Sequence, residues 1–127
     1  MAKPFIVLLM VFCHIIDDYC LQKLGCLADL KQRTWWRFDT YDPRFYGKDY
    51  LMALAMHGFS WAFMVMLPIA AHMSFYPSPL FYILFAINWA AHSYIDHLKA
   101  NLIKINLITD QLLHIGQILV TAALLLR

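Results

Sequence analysis

Apolar residues in this chain gather into four long runs, and the polar residues inside each run recur at helical spacing. The runs extend from about Pro4 to Lys23, Asp49 to His72, Ser78 to Leu98 and Ile105 to Leu126. A bilayer core of ~30 Å is crossed by ~20 helical residues, so each run is long enough for a membrane helix. Pro4 suits a helix start, where its missing N–H costs nothing. Pro77 and Pro79 mark a tight turn before the third run. The expected fold is all-α, an integral membrane four-helix bundle made by one transmembrane domain over residues 1–127. The connections after the second and third runs are short, which favours antiparallel neighbours. Between the first two runs lies a long loop, Gly25 to Lys48. Its charges (Asp29, Lys31, Arg33, Arg37, Asp39, Asp42 and Arg44) are interspersed with Trp35, Trp36, Phe38, Tyr41, Phe45 and Tyr46. Such a mixture predicts an interfacial segment, because amphipathic rings settle at the headgroup level.

The polar positions form stripes. His14, Asp18 and Gln22 are four apart in the first run. Tyr50, Ala53, His57 and Ser60 follow helical spacing in the second, and Asn88, His92, Asp96 and Lys99 in the third. Asn106, Asp110, His114, Gln117 and Thr121 do so in the fourth. An ionisable group inside a membrane helix costs roughly 2.5–3.5 kcal/mol on insertion scales. Four such stripes are therefore expected to turn away from lipid and meet inside the bundle. His72 falls at the opposite surface and His97 points off its stripe. Asp17 is expected to face away from the stripe, and Lys99 and Lys104 to act as snorkelling anchors.

Composition agrees with a membrane setting. Hydrophobic residues make up 62%, aromatic ones 16% and charged ones 14%, and the mean hydropathy is +0.59. Soluble domains carry about 45–50% apolar and about 25% charged residues, so a free soluble enzyme and a disordered chain are excluded. A net charge of +2 is too small to suggest nucleic-acid binding. Lys23, Lys31, Arg33, Arg37, Arg44, Lys48, Lys99 and Lys104 fall on one side of the expected topology, Lys3 and Arg127 on the other. The positive-inside rule puts both polar loops in the cytoplasm and both termini outside. The N-terminal apolar run continues into His14, Asp17 and Asp18 without a small-residue cleavage site, so it is expected to be retained. Cys13, Cys20 and Cys26 form no Cys-x-x-Cys pair and are expected to be small buried hydrophobes. All eight acidic residues are Asp.

His14, Asp18, His57, His92, Asp96, Asp110 and His114 are expected within about two helical turns of one depth, toward the cytoplasmic side. Four imidazoles and three carboxylates on facing helices form a metal-ligand inventory. Mixed nitrogen and oxygen donors suit a divalent metal, Zn²⁺ first, with Mn²⁺ or Fe²⁺ as alternatives. Surplus groups would serve a second metal, a general base or carboxylates that orient histidines. The expectation is a metal-dependent hydrolase acting on a lipid or lipid-linked substrate, with Asp18 or Asp96 taking the proton. Trp35, Trp36 and Tyr41 would gate the site from the inner leaflet.

The run His14-Ile-Ile-Asp-Asp18-Tyr-Cys-Leu-Gln22 resembles the His-x-x-x-Asp-x-x-x-Gln motif of a domain-of-unknown-function family of small bacterial and phage membrane proteins. His92-Ser-Tyr-Ile-Asp96-His-Leu-Lys99 is similar to that family's His-x-x-x-Asp-x-x-Lys segment, and Asp110-Gln111-Leu-Leu-His114 to its Asp-Gln-x-x-His segment. His57 stands where the family has a histidine in its second helix, and Asp17 where it often has a small residue. The resemblance covers nearly the whole chain. It implies a multi-helix protein of the bacterial inner membrane with a polar His/Asp centre, and it supplies no activity. The layout is also similar in spirit to inner-membrane metal-dependent hydrolases.

Two other function classes are open at this level. Inward-facing ionisable groups also mark ion paths, so a small transport or ion- or proton-conducting subunit is one. A non-enzymatic bacterial or phage effector that binds a membrane-protein partner through the aromatic loop is the other. The helices could also share an interface in a homo-oligomer.

Overall fold

The computed structural model describes residues 2–24, 27–33 and 42–127. Four long helices carry the fold. The first, α1, spans Lys3–Ile16, continues through a wider π-helical turn at Asp17–Leu21 and ends in Gln22–Leu24. Next come α2 (Asp49–His72), α3 (Pro79–Ala100) and α4 (Leu107–Leu125). Short helical turns lie at Leu27–Leu30 and Pro43–Tyr46, and there is no strand among the described residues. Proline occupies the first turn of α1 and of α3, where no N–H is needed. Asn106 caps α4 by accepting from the Thr109 N–H at 2.8 Å. Ser74 and Phe75, both at positive φ, reverse the chain between α2 and α3.

Three of these helices, α1, α2 and α4, are long and apolar enough to cross a membrane. The third, α3, has the length but not the hydropathy, because it carries Asn88, His92, Asp96, His97 and Lys99. Its outward positions remain apolar: Tyr82, Ile83, Ile87 and Tyr94 are exposed. So are Leu8, Phe12, Phe63, Leu112 and Val120 on the other helices. Apolar surface on every side of a bundle, around a polar interior, is the arrangement that a lipid solvent favours.

The interior divides along its length. One half is apolar, filled by Ile6, Met10, Val65, Met66, Ile69, Phe81, Leu84, Ile118 and Ala122. The other half, where α1 and α3 end and α2 and α4 begin, buries His14, Asp17, Lys31, His57, His92, Asp96, Asp110 and His114. Of the long loop, Phe45 and Tyr46 are exposed. Gly25, Cys26 and residues 34–41, which include Trp35, Trp36, Asp39 and Tyr41, lie outside the described residues. The half-buried Cys13 and exposed Cys20 are free thiols rather than core side chains.

The contact of α2 with α3 is unusually close at Gly58. A Cβ there would collide with the Ser93 hydroxyl and come within 3.0 Å of the Trp89 carbonyl oxygen. The approach lets Ser93 Oγ donate to the Leu54 carbonyl at 3.1 Å and Trp89 Nε1 to the Ala55 carbonyl at 2.7 Å. Small residues permit such backbone approach in membrane bundles. It also sets the separation of His57 from His92, one residue and one turn away respectively. Gly58→Ala is expected to lower stability by about 1–3 kcal/mol through overpacking. Gly116→Ala, with open space around it, should cause no such loss. Thermal unfolding of both variants in detergent measures the contrast.

Candidate metal centre

All seven sequence-predicted ligands come together in the polar half of the bundle. The π-helical turn begins at Asp17, and its extra residue keeps Asp17, Asp18 and Gln22 all facing the interior. Buried His/Asp groups there could hold a metal ion. Two sets have ligand atoms within 4.8 Å of one another: Asp18, His57 and His92, and His92, Asp96 and His114.

His92 joins the sets. Its Nε2 lies 3.1 Å from His57 Nε2, and its Nδ1 lies 3.1 Å from His114 Nδ1. Asp18 Oδ1 is 3.5 Å from His57 Nε2 and 3.9 Å from His92 Nε2. Asp96 reaches both sets, with Oδ2 at 3.4 Å from His57 Nε2 and Oδ1 at 3.5 Å from His114 Nε2. Two sequence-predicted groups stand beside these sets. His14 accepts at Nδ1 from Trp61 Nε1 (2.8 Å) and meets Gln111 Oε1 through Nε2 (3.2 Å), so both its nitrogens have protein partners. Asp110 receives Lys99 Nζ at 2.5 Å and Gln111 Nε2 at 3.0 Å on Oδ2, while Oδ1 faces His114 Nε2 at 3.5 Å.

Several groups behave differently from the sequence-based expectation. Asp17 does not face away. It is buried, accepts from Ser60 Oγ at 2.6 Å and lies 3.4 Å from His57 Nδ1. The reason is angular: three residues beyond His14, an α-helix has turned to within about 60° of the same face. Asp17 Oδ2 thus faces His57 Nδ1 from behind, the side on which carboxylates stand beside metal-binding imidazoles. Lys99 is no outward anchor, because its long stem bends inward to Asp110. Lys104 stays exposed. Lys31, expected in an interfacial segment, is buried and ion-paired with Asp96. Gln22 fits when its amide oxygen faces Lys31 and His57 and its nitrogen donates to the Asp18 carbonyl at 3.2 Å.

Trp61 was legible only as an apolar residue. It is fully buried, stacks on His92 with centroids 4.3 Å apart and planes 16° apart, and donates to His14. A tryptophan four residues after His57 on the same helix face was the available signal. Beyond it the polar stripe thins to His114–Gln117 and Asn88–Thr121 contacts, at 3.2 and 2.8 Å, before the apolar half begins.

Four buried atoms in the cluster have no hydrogen-bond partner: Asp17 Oδ2, Asp18 Oδ1, Asp110 Oδ1 and His114 Nε2. Unpaired buried acceptors and donors cost about 1–3 kcal/mol each. Asp18 Oδ1 and His114 Nε2 belong to residues of the two ligand sets, so a cation held there would satisfy them. The donor set therefore fits a divalent ion. No family model matches this chain, and none of the curated proteins or solved structures compared with it does.

Trp61→Phe keeps a ring against His92 but leaves His14 Nδ1 without its donor, an expected loss of about 1–3 kcal/mol. Trp61→Ala should lose about 3–5 kcal/mol, because it also opens a cavity. Denaturant unfolding in mixed micelles should rank the two in that order. Lys31→Met leaves Asp96 buried without its ammonium and should cost about 3–5 kcal/mol. Adding Asp96→Asn to it should restore part of that loss, which a double-mutant cycle reads directly.

Proposed function

We propose that the protein is a membrane-embedded, metal-dependent hydrolase that acts on a lipid or lipid-linked substrate from the cytoplasmic side of a bacterial inner membrane. The observation that carries this reading is the pair of ligand sets sharing His92, buried together with unpaired Asp18 and His114 atoms. Charge supports it. Asp96 and Asp110 are paired with Lys31 and Lys99, whereas Asp17 and Asp18 face His57, which leaves two carboxylates for a dication to balance when the imidazoles are neutral. Nitrogen and oxygen donors favour Zn²⁺, with Mn²⁺ or Fe²⁺ next. The three segments that resemble the small bacterial and phage family all contribute to this cluster. The eight-to-two distribution of basic residues supports termini on the outside.

When bound, the ion supplies positive charge at the scissile group and a water whose pKa is lowered toward ~7. The chain supplies the rest. Asp18 is the proton acceptor of choice, because its side chain is 10% exposed whereas that of Asp96 is 2% exposed and already held by Lys31. It takes the proton of the attacking water as the water oxygen bonds to the carbon or phosphorus of the ester. The ester bond breaks, and the proton passes to the leaving oxygen. Gln111, held by His14 through its amide oxygen, donates from Nε2 to Asp18 Oδ2 at 3.5 Å and orients it.

A second reading has one observation in its favour. Lys31 and Lys99 already sit on Asp96 and Asp110, so the cluster carries part of its own counter-charge. Under that reading it is a proton-holding or structural network. The apolar half, with Ile6, Met10, Val65 and Ile118 across it, weighs against a conducting path.

Protein purified in mild detergent is expected to retain a divalent metal near stoichiometry, measured by plasma emission. His92→Ala, which removes the residue common to both sets, should lose that metal. Asp18→Asn, whose amide oxygen can still face the ion, should weaken metal retention less than His92→Ala does, and metal-loaded Asp18→Asn should lower ester hydrolysis by about 10²–10⁴-fold, the usual worth of a general base. Folded wild-type protein that holds no metal and takes up none would refute the metal reading and leave the second.

A further inference from the structure

Beside the cluster, a cavity of about 300 Å³ opens between α1 and α4. Among the described residues Asp18 is the one carboxylate that lines it, and Lys23, Lys31 and Lys99 line it too. Lys31 and Lys99 are engaged with Asp96 and Asp110, yet an ammonium has three donors and each is shown with one carboxylate. Lys23 has no ion pair among the described residues and adds an uncompensated charge. Gln22 and Gln111 add polar side chains to the same wall, and Tyr19 brings a phenol. A cationic lining over a cluster that could hold a metal ion is chemistry for a group with several anionic oxygens. Phosphate is the common one.

The seam between α1 and α4 has a second opening toward its other end. That groove is almost wholly apolar, formed by Pro4, Val7, Leu119, Ala122, Ala123 and Leu126, with Lys3 at its rim. Twelve residues of α1 separate Val7 from Tyr19, a rise of about 18 Å. Half of a ~30 Å hydrocarbon core is a similar distance. Polar cleft and apolar groove thus share one seam, at a spacing that suits a molecule with a charged head and a chain about one leaflet long.

We infer that the cleft lined by Tyr19, Gln22, Lys23, Lys31, Lys99 and Gln111 binds the phosphate head of an amphiphile whose hydrocarbon chain follows the α1/α4 seam. This inference rests on the proposed hydrolase reading and names its substrate class, a phosphate-bearing lipid. Lys23 anchors the head from outside the metal-binding sets. Asp18 Oδ1 stands between the head and His57, where the ester would be presented.

The test uses the full chain in a non-ionic detergent, with dodecyl phosphate as the probe and dodecyltrimethylammonium and inorganic phosphate as competitors. Phosphorus NMR line broadening and calorimetry measure binding, and metal content is measured on the same samples. Dodecyl phosphate should bind saturably, and dodecyltrimethylammonium should not displace it. Inorganic phosphate should compete at least tenfold more weakly, because it lacks the chain. Lys23→Met should weaken dodecyl phosphate at least tenfold with metal content unchanged. Ala123→Trp, an exposed position that fills the groove, should weaken dodecyl phosphate and leave inorganic phosphate alone. Metal-loaded wild-type protein that binds dodecyl phosphate no better than dodecyltrimethylammonium would overturn this inference while the hydrolase reading stands. Equal binding of inorganic and dodecyl phosphate would place the ligand in solution and overturn the lipid assignment. A metal-free protein would instead remove the reading beneath it.

Discussion

Burying a carboxylate in a low-dielectric bundle requires a cation, a proton or several donors close by, and this chain buries three of them, with a half-buried fourth beside them, in one half of its interior. That demand organises the rest. Asp96 draws Lys31 inward from the loop, and Asp110 draws Lys99 back from the end of α3. Asp17 faces Ser60 and His57 across the α1–α2 contact. Isolated charges in such surroundings cost several kcal/mol each, so these pairings decide which side chains point inward. The outer faces are free to be Leu, Ile and Phe because the polar work is done along one inner seam.

The cluster is built in layers around His92. Its ring is clamped by Trp61 on one face, while its two nitrogens look toward His57 and His114. Trp61 also fixes His14, whose other nitrogen holds Gln111, so both nitrogens of His14 are engaged by protein partners. Gln111 ties His14, Asp18 and Asp110 together. Such a network holds ligands at fixed separations only because α2 and α3 approach closely at Gly58, one residue beyond His57. Backbone contact and site geometry are therefore one constraint. The apolar half below adds rigidity without adding groups that titrate.

The uneven interior also bears on function. The polar cluster lies near one end of the bundle, beside a cleft between α1 and α4. Lys23, Lys31 and Lys99 at the cleft and carboxylates behind it separate positive from negative charge over a few ångströms.

Periodicity alone determined much of this protein. Four apolar runs marked four helices, and polar residues at i, i+4 named the seven groups that meet, because helical spacing puts them on one face whatever the partners are. Only tertiary structure decided which of those groups share a set and which serve as supports. It alone placed Asp17, whose angular position near the edge of the stripe could turn either way until Ser60 and His57 faced it. It also brought in Lys31 and Lys99, since long flexible stems carry no periodic signal and go where a buried carboxylate needs them. Trp61 was hidden for a similar reason: an indole reads as core in the sequence, and its N–H acquires a role only when a histidine from another helix lies 2.8 Å away. Spacing along one helix is a local property. Charge balance and hydrogen-bond satisfaction are properties of the packed bundle, and they exist only once the helices have met.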